Sequence, residues 1–225
     1  MPSTRLVALN GSPRGRRGNT PLMLDAFLDG VEEVWGTRPV LHHLAEAGDS
    51  EEPVHVFGEA SAVLLGFPVY TDAMPGIVKA FIEALEPLCA RPEGPELIFL
   101  VQSGFPEAIH SRAVEAYLER LAARLRGRYV GTIVKPSGEE TRLRPKERNA
   151  TLFARLCELG RSYATTGELD AKVLALLASP ERFPWWLSPV LRLFFRTNTV
   201  NFLWDRQLRE NGVFEERFAR PYAPS

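Results

Sequence analysis

Short apolar runs and segments of helical periodicity alternate along the first 165 residues of the chain. An uninterrupted apolar run is typical of a strand that is covered on both faces. The second run is the weakest, and it carries His42 and His43. Side chains of adjacent strand residues point to opposite faces, so we interpret these histidines as edge-strand residues rather than a metal site. The runs predict five strands, at residues 6–9, 39–44, 61–67, 97–101 and 129–134.

Between and after these runs, apolar residues recur every three or four positions, which is typical of helices that pack on a sheet. Proline is well tolerated at the first helical position, so Pro21 predicts the start of the first helix, with Asn19 or Thr20 as its cap. Residues 45–53 are acidic and turn-rich and predict a solvated loop. Helices are predicted to begin near Pro21, Pro75, Ser111 and Pro145.

The same spacing predicts which face of each helix is buried. The first helix is predicted to end at Gly36, since glycine commonly terminates helices. Its buried stripe consists of Leu22, Ala26, Phe27, Val31 and Val34. The stripe of the helix after the fourth strand consists of Val114, Tyr117, Leu118, Leu121 and Leu125.

Alternating strands and helices predict an α/β fold with a parallel sheet and right-handed crossovers. Five such units, with an unusual loop directly after the first strand, predict the strand order 2-1-3-4-5. Ligands of such sheets bind at the carboxyl ends of the strands. The loops after the first, third and fourth strands carry the unusual residues, so we expect a ligand site where these loops meet.

The pattern changes after Thr166. Residues 168–178 predict one short helix, and Pro180, Pro184 and Pro189 then interrupt the chain. We therefore divide the chain into a domain at residues 1–166 and a mostly helical extension at residues 167–225. The extension is predicted to fold on the domain, on a partner subunit or over the ligand site. It is rich in large apolar residues: Trp185, Trp186, Leu187, Val190, Leu191, Leu193, Phe194, Phe195, Phe202 and Trp204.

Composition narrows the possible functions. The apolar fraction of 45% and the charged fraction of 24% are those of a globular protein. A net charge of −1 argues against nucleic-acid binding, which usually needs a basic face. Cys89 and Cys157 lie too far apart in sequence for a metal or redox motif. No apolar run is long enough for a transmembrane segment and no signal peptide is evident, so a cytoplasmic protein is expected.

Residues 10–20 follow the first strand and lead into the first helix, an arrangement that favours anion binding. The loop has neither the Gly-Lys-Ser/Thr of a P-loop nor the spacing Gly-x-Gly-x-x-Gly, which argues against triphosphates and dinucleotides. A monophosphate remains suitable. An ordinary βα turn is the alternative, but such turns are short and this one has about ten residues. The groups available to a phosphate are those of Ser12, Arg14, Asn19 and Thr20.

The second and third loops provide a place for a flat ring beside that phosphate. In the second loop, Val69 and Tyr70 can contact a ring, although Tyr70 could equally be packed in a helix-start loop. In the third, Gly104 allows close approach of the backbone to a planar ligand, and Phe105 is aromatic. Glu107 could simply favour the start of a helix through its charge, and we interpret His110 as a solvated helix-start residue.

Together these residues resemble the NAD(P)H-dependent FMN reductase-like flavoproteins. The sequence NGSPR at residues 10–14, followed by GNT at 18–20, resembles their phosphate motif, and PVY at 68–70 with MPG at 74–76 resembles their second motif. SGFPEA at 103–108 is similar to a loop in one branch of the family. The resemblance covers residues 4–165. It implies a flavodoxin-like three-layer sandwich, bound FMN and a homodimer.

By the same resemblance, two groups of residues bind the cofactor. Ser12, Arg14, Asn19 and Thr20 would hold the FMN phosphate. Pro68, Val69, Tyr70, Ser103, Gly104 and Phe105 would line the ring. No catalytic side chain and no metal is expected, because hydride transfer to a flavin requires mainly that the protein position the reactants.

The leading hypothesis is an FMN-dependent NAD(P)H oxidoreductase. NADH or NADPH would reduce the flavin, which would then reduce a quinone, a free flavin or a similar small-molecule acceptor. Arg16 and Arg17 could attract the phosphates of the nucleotide, or could simply form a solvated basic loop. The alternatives are a flavodoxin-type electron carrier without a substrate of its own and a flavin-free scaffold that uses its aromatic extension for contacts.

Overall fold

The computed structural model describes residues 5–48, 50–187, 189 and 201–220. The chain divides into two compact units, Met1–Arg182 and Phe183–Ser225. The first unit contains the whole sheet and all three loops in which ligand contacts were predicted.

Five parallel strands form a single sheet in the order β2-β1-β3-β4-β5, which confirms the predicted topology. β3 and β4 extend past the end of β1, because the β1–β3 pairing ends at Gly66 whereas the β3–β4 pairing continues to Val69 and Ser103. The strands are β1 Leu6–Asn10, β2 Val40–His43, β3 Ala62–Val69, β4 Glu96–Ser103 and β5 Arg128–Lys135.

Helices cover both faces of the sheet, which gives the predicted three layers. Neighbouring residues of β1 serve opposite cores: Leu6 and Ala8 face the helices α1, α6 and α7, whereas Val7 and Leu9 face α3, α4 and α5. The helices of this unit are α1 Asn19–Trp35, α2 Leu44–Ala47, α3 Glu52–Glu59, α4 Gly76–Ala84, α5 Arg112–Arg124, α6 Ala150–Thr166 and α7 Ala171–Leu177.

α1 and α6 approach each other closely enough to bring backbone against backbone. A Cβ atom added to Gly30 would lie 1.9 Å from the carbonyl oxygen of Cys157, and one added to Gly160 would lie 2.0 Å from that of Phe27. Only glycine fits at these crossing points. Tyr163 of α6 completes the contact, since its ring centroid lies 6.3 Å from that of Phe27.

Some predicted core residues are exposed. Leu22 and Val34 of α1 are 39% and 43% exposed, and Tyr117 of α5 is 43% exposed. The α1 stripe was confirmed at Ala26, Phe27 and Val31 and was wrong at Leu22 and Val34. Because this helix packs against α6 as well as the sheet, its buried face also includes Met23, Leu24 and Leu28. Gly36 ends α1 in a left-handed conformation, as predicted.

The predicted solvated loop at residues 45–53 was also wrong in part. The segment contains most of the one-turn helix α2 and the start of α3, which buries Pro53, Val56 and Phe57. Three buried positions in eight residues give too short a periodic signal for a sequence-based prediction.

After α6 the chain stays in the first unit, which includes α7 and ends at Arg182. The predicted boundary was at Thr166. Leu169, Val173 and Leu177 are buried in the same core as α1 and α6. Asp170 caps α7, accepting hydrogen bonds from the backbone N–H groups of Lys172 and Val173.

In the described part of the second unit, residues Trp185–Leu187 and Phe214–Glu216 each form a single helical turn, and Phe202–Glu210 form the helix α8. The guanidinium of Arg217 stacks on the ring of Phe214, with its carbon 4.0 Å from the ring centroid. Val190, Leu191, Leu193, Phe194 and Phe195, which were predicted to belong to an apolar extension, lie outside the described residues. Among the helices that are described, none is long and apolar enough to span a bilayer.

Candidate functional site

The loops after β1, β3, β4 and β5 meet at the carboxyl edge of the sheet. The N–H of Gly11 donates to the carbonyl of Gly66 at 2.7 Å, which joins the loop after β1 to β3. Gly11 also lies against α4, since a Cβ there would be 2.3 Å from the Val78 side chain. The N–H of Gly138 donates to the carbonyl of Ser103 at 2.8 Å and joins the loop after β5 to the end of β4.

Asn10 organises the loop after β1 from its buried end. Its amide nitrogen donates to the carbonyl of Gly15 at 3.0 Å and lies 2.8 Å from His43 Nδ1, while its oxygen accepts from the N–H of Ser12 at 3.0 Å. Gly18 closes the loop, because a Cβ there would lie 2.5 Å from Ser12 Oγ. The loop therefore has a defined shape supported by side chains.

This arrangement favours the neutral form of His43. Its half-buried position, and next the positive charge of Arg16, lower the pKa of the imidazole below its ordinary value. Because Asn10 Nδ2 can only donate, Nδ1 of His43 accepts the hydrogen bond and the ring proton is on Nε2. Protonation of His43 Nδ1 would place its N–H against the N–H of the Asn10 amide, and both groups are donors.

Most N–H groups of the loop bond within the loop itself, so the start of α1 is the main source of free donors. Gly18 rather than Asn19 or Thr20 is the N-cap residue of α1, and no side chain caps it, which corrects the predicted cap. The first N–H groups of a helix have no partner inside it. Beside them, the hydroxyl of Thr20 is fully buried and has no hydrogen-bond partner among the described residues. The N–H groups bonded within the loop are those of Ser12, Arg14, Gly15, Arg17 and Gly18.

Asn19 does not cap the helix because its side chain is bonded elsewhere. Its amide nitrogen donates to the carbonyl of Glu139 at 2.7 Å, and its oxygen accepts from the N–H of Arg142 at 2.9 Å. Both groups are therefore occupied by the loop after β5. Sequence reasoning assigned no site residue to that loop. Its Gly138 and polar side chains were the only signal available.

The end of β3 differs from the predicted loop. Pro68 and Val69 lie within the strand and are buried, whereas Tyr70 is 46% exposed. Tyr70 and Ala73 exchange backbone hydrogen bonds of 2.9 and 3.2 Å around Thr71, which has a positive φ of 57°. The N–H groups of Tyr70 and Ala73 are thus used inside this tight turn, and the tyrosine ring is presented to solvent.

The end of β4 presents a buried hydroxyl and an exposed ring. Ser103 is 1% exposed, and within the described part of the chain its hydroxyl has no hydrogen-bond partner. Gly104 is exposed, and Glu139 lies over it, because a Cβ on Gly104 would be 2.8 Å from Glu139 Oε2. Phe105 is stacked on His110 with ring centroids 4.4 Å apart.

Residues 180–181, just before the end of the first unit, brace the loop after β4. The N–H of Ala108 donates to the carbonyl of Pro180 at 3.0 Å, and that of Ile109 donates to the carbonyl of Glu181 at 3.2 Å. The Glu181 carboxylate pairs with Arg112 at 2.6 Å, which lowers the pKa of that carboxyl. This brace was not predicted, because nothing in the local sequence relates the two segments.

The predicted site residues therefore fall into three groups. Ser12, Asn19, Thr20 and Ser103 are buried and polar, Pro68 and Val69 are buried in β3, and Arg14, Tyr70, Gly104 and Phe105 are exposed. The hydrogen bonds through Gly138 and Glu139 connect the first loop to the third. Within the ranges that the structure describes, no cluster of three or more His, Cys, Asp or Glu side chains is suited to a metal ion.

No protein-family model matches the sequence, and no curated protein matches it. An NADH:FMN oxidoreductase in its apo form matches the structure with a TM-score of 0.54 and 18% identity, over 77% of this chain and 92% of that one. An NAD(P)H:quinone oxidoreductase from Methanothermobacter marburgensis matches with a TM-score of 0.55 and 14% identity, over 71% and 97%. A WrbA-like flavodoxin protein from Agrobacterium tumefaciens matches with a TM-score of 0.50 and 20% identity, over 71% and 99%.

This chain has a flavodoxin-like fold. In such a sheet the strand order reverses between β1 and β3, and ligands bind beyond the carboxyl ends of the strands at that point. The Gly11–Gly66 hydrogen bond, the start of α1 and the Tyr70 turn all lie there. The candidate site thus occupies the position in which the flavodoxin-like fold leaves a crevice.

Proposed function

We propose that the protein is an FMN-dependent NAD(P)H oxidoreductase that reduces a quinone, a flavin or a similar small molecule. The observation that carries the proposal is that two of the three buried hydroxyls without a partner among the described residues, Thr20 Oγ1 at the start of α1 and Ser103 Oγ at the end of β4, lie at the carboxyl edge of the sheet. The third, Ser111 Oγ, precedes α5 and is not part of the proposed site. Buried polar groups are normally hydrogen-bonded, and each exception calls for an explanation. A ligand that bonds to both hydroxyls explains both exceptions.

The start of α1 supplies the phosphate end of the proposed site. The hydroxyl of Thr20 and the unpaired N–H groups of the first helical turn can donate to phosphate oxygens, and the positive end of the helix favours the negative charge. Arg14 is exposed at the rim and can add a cation. Ser12 and Asn19 then have a positioning role, because their polar groups already hold the loop in place.

The ends of β3 and β4 supply the ring end. Val69 and Ser103 are register partners, so a planar ligand seated here would meet an apolar side chain and a free hydroxyl side by side. Tyr70 and Phe105 are both at least one-third exposed, so the core does not fix their side chains. Both can therefore flank the flavin ring. Solved structures of the same fold include an NADH:FMN oxidoreductase and an NAD(P)H:quinone oxidoreductase, which supports the assignment.

Bound FMN supplies the redox chemistry, accepting a hydride from a nicotinamide and delivering electrons to an acceptor. The protein residues have positioning tasks. Ser103 can orient the polar edge of the ring, while buried Pro68 and Val69 exclude water from one side. The exposed turn at Tyr70 leaves space in which a second planar molecule can stack. The chemistry requires no side chain to transfer a proton.

A titration with FMN and an NADPH oxidation assay test the proposal. We expect the purified chain to bind FMN stoichiometrically, and we expect NADPH or NADH to bleach the bound flavin faster than free FMN. Failure to bind FMN after reconstitution would contradict the whole proposal and favour a flavin-free scaffold. Tight FMN binding without reduction by either nucleotide would identify an electron carrier instead.

We also propose a homodimer, on the basis of the resemblance described above. Light scattering on the purified chain should then give twice the monomer mass of 25.2 kDa. A mass of one chain at all concentrations would contradict the dimer and leave the flavin proposal intact.

A further inference from the structure

A second cavity lies behind the loop after β5, among that loop, the start of α6 and the end of α7. Its volume is about 200 Å³. Drug-sized ligands usually occupy about 300–1,000 Å³, so this cavity suits a small group. It belongs entirely to the first unit.

The lining of this cavity is strongly basic. Lys135 at the end of β5, Arg144 in the loop, Arg148 before α6 and Arg155 within α6 all line it, and none of its lining residues in the described chain is acidic. Asn149 and Thr151 at the start of α6 add polar groups. The first turn of a helix is also its positive end, which adds to the same field.

Most of this positive charge is not neutralised by neighbouring carboxylates. Arg144 pairs with Glu140. Lys135 instead donates to the carbonyl of Pro136, and Arg155 donates to the carbonyl of Leu176 at 3.3 Å. For Arg148, the described residues include no carboxylate within 4.0 Å.

The charges also act on one another. Burial, and next the charge of Arg144, lower the pKa of Lys135, and Arg155 acts in the same direction. The attraction of Glu140 is too weak to reverse this shift. An anion that enters the cavity would reduce the electrostatic repulsion between these partly buried cations.

We propose that this cavity binds a phosphate group, either as the free ion or as the phosphate monoester of a nucleotide. Arginine side chains match phosphate oxygens with paired N–H donors, and lysine adds a point charge. A phosphate group is small enough for the volume and carries enough negative charge to balance the unpaired cations.

The proposed phosphate site shares a loop with the candidate flavin site. Ser137, Thr141 and Arg144 of this loop line the cavity. On the other side, the carbonyl of Glu139 and the N–H of Arg142 hold Asn19. A phosphate group bound behind the loop would therefore stabilise the segment that closes the flavin crevice.

Calorimetric titration of the purified full-length chain with inorganic phosphate tests the proposal. We expect binding in the millimolar range or tighter, and a melting temperature that rises with phosphate concentration. R148Q and R155Q should each weaken binding about tenfold or more, as expected when a charge-assisted hydrogen bond is lost. The Arg148 side chain bonds to no described residue that its loss would leave unpaired, so R148Q should fold. R155Q is an independent second variant.

Two controls separate this site from other anion sites. R120Q removes an exposed arginine from α5, away from the cavity, and should change the affinity by less than about twofold. T20V alters the proposed FMN phosphate site and should leave phosphate binding here unchanged. Absence of phosphate binding, equal weakening by R120Q and R148Q, or loss through T20V would each overturn the proposal.

Titrations with 2′-AMP and 5′-AMP distinguish the two sources of phosphate. If either nucleotide binds more tightly than phosphate and loses that affinity in R148Q, the ligand is a phosphate monoester. If neither binds more tightly, the ligand is the free ion. Both results support the site.

Discussion

The α1–α6 contact and the carboxyl edge of the sheet show opposite ways of burying residues. Between α1 and α6, Gly30 and Gly160 bring the two backbones together, and the space is filled by apolar side chains. At the carboxyl edge, Thr20 and Ser103 are just as deeply buried, yet their hydroxyls have no partner. In the first region the side chains pack against one another, whereas in the second the two hydroxyls lack a partner among the described residues, and we propose that a ligand binds them.

The difference shows that depth of burial does not by itself indicate a structural role. Close packing favours stability, because gaps and overlaps both cost free energy. An unpaired buried hydroxyl costs free energy as well, unless something else bonds to it. Substitutions in the two regions should therefore affect different measurements, and three experiments test this contrast.

The largest effect is expected for Gly160→Ala. Its Cβ would lie 2.0 Å from the carbonyl oxygen of Phe27, which cannot move without separating the two helices. We expect the free energy of unfolding to fall by about 3 kcal/mol, at the upper end of typical overpacking costs. Chemical denaturation measures this change, and FMN affinity in the folded protein should stay the same.

Gly76→Ala is the matched control. Apart from its chain neighbours and the backbone of its own helix, no atom of the described residues lies within 4 Å of the Cβ position at Gly76, so the added methyl group should change stability by less than about 0.5 kcal/mol. Similar destabilisation by the two substitutions would mean that the α1–α6 contact is not specially close, and the contrast would fail.

The second experiment distinguishes the carboxyl edge of the sheet from the rest of the core. Thr20→Val removes a buried hydroxyl that bonds to no described residue, so the stability of the ligand-free chain should be unchanged or slightly higher. FMN affinity should fall about tenfold or more, since a hydrogen bond to a charged group contributes about 1.5–3 kcal/mol. Ser103→Ala should act in the same direction with a smaller loss.

Thr132→Val is the converse control. The hydroxyl of Thr132 is buried and hydrogen-bonded to that of Tyr129 at 2.8 Å, so its loss should lower stability by about 1 kcal/mol and leave FMN affinity unchanged. If Thr20→Val destabilised the ligand-free protein and did not affect FMN binding, Thr20 would have a structural role only.

The smallest effect concerns pH. Since the pKa of His43 is lowered in the folded state, the unfolded chain binds more protons in the range between that pKa and the ordinary value of 6.5. The stabilising contribution is present above pH 6.5 and is lost as the pH falls through the folded-state pKa. His43→Gln keeps an acceptor for Asn10 without titrating, so urea unfolding below pH 6.5 should show a flatter pH dependence than the wild type. Identical profiles for the two proteins would exclude this role for His43.

Much of the fold could be predicted because its signals are local. The apolar runs of β1, β3 and β4 are continuous, and Gly36 marks the end of α1. Where two surfaces compete for one helix, as for α1 between the sheet and α6, periodicity indicated a buried stripe and misplaced Leu22 and Val34. The short helix α3 offered too few turns to be recognised.

The candidate site could be predicted only in part. The loops after β1, β3 and β4 carry unusual residues, and the structure brings them to one edge. The contributions of Glu139 and Glu181 could not be predicted, because each acts through backbone groups on a segment far away in sequence. A carbonyl oxygen is present at every residue, so a sequence does not reveal which one will serve as a brace.

The side chain of Asn19 also bears on when the site forms during synthesis. Its partners, Glu139 and Arg142, lie 120 and 123 residues further along the chain. A nascent chain that has emerged only as far as β4 contains all of residues 10–20 and neither of these partners. Contacts between such distant residues form late, because the intervening chain must first be ordered. The first loop to be translated is therefore among the last to reach its final shape.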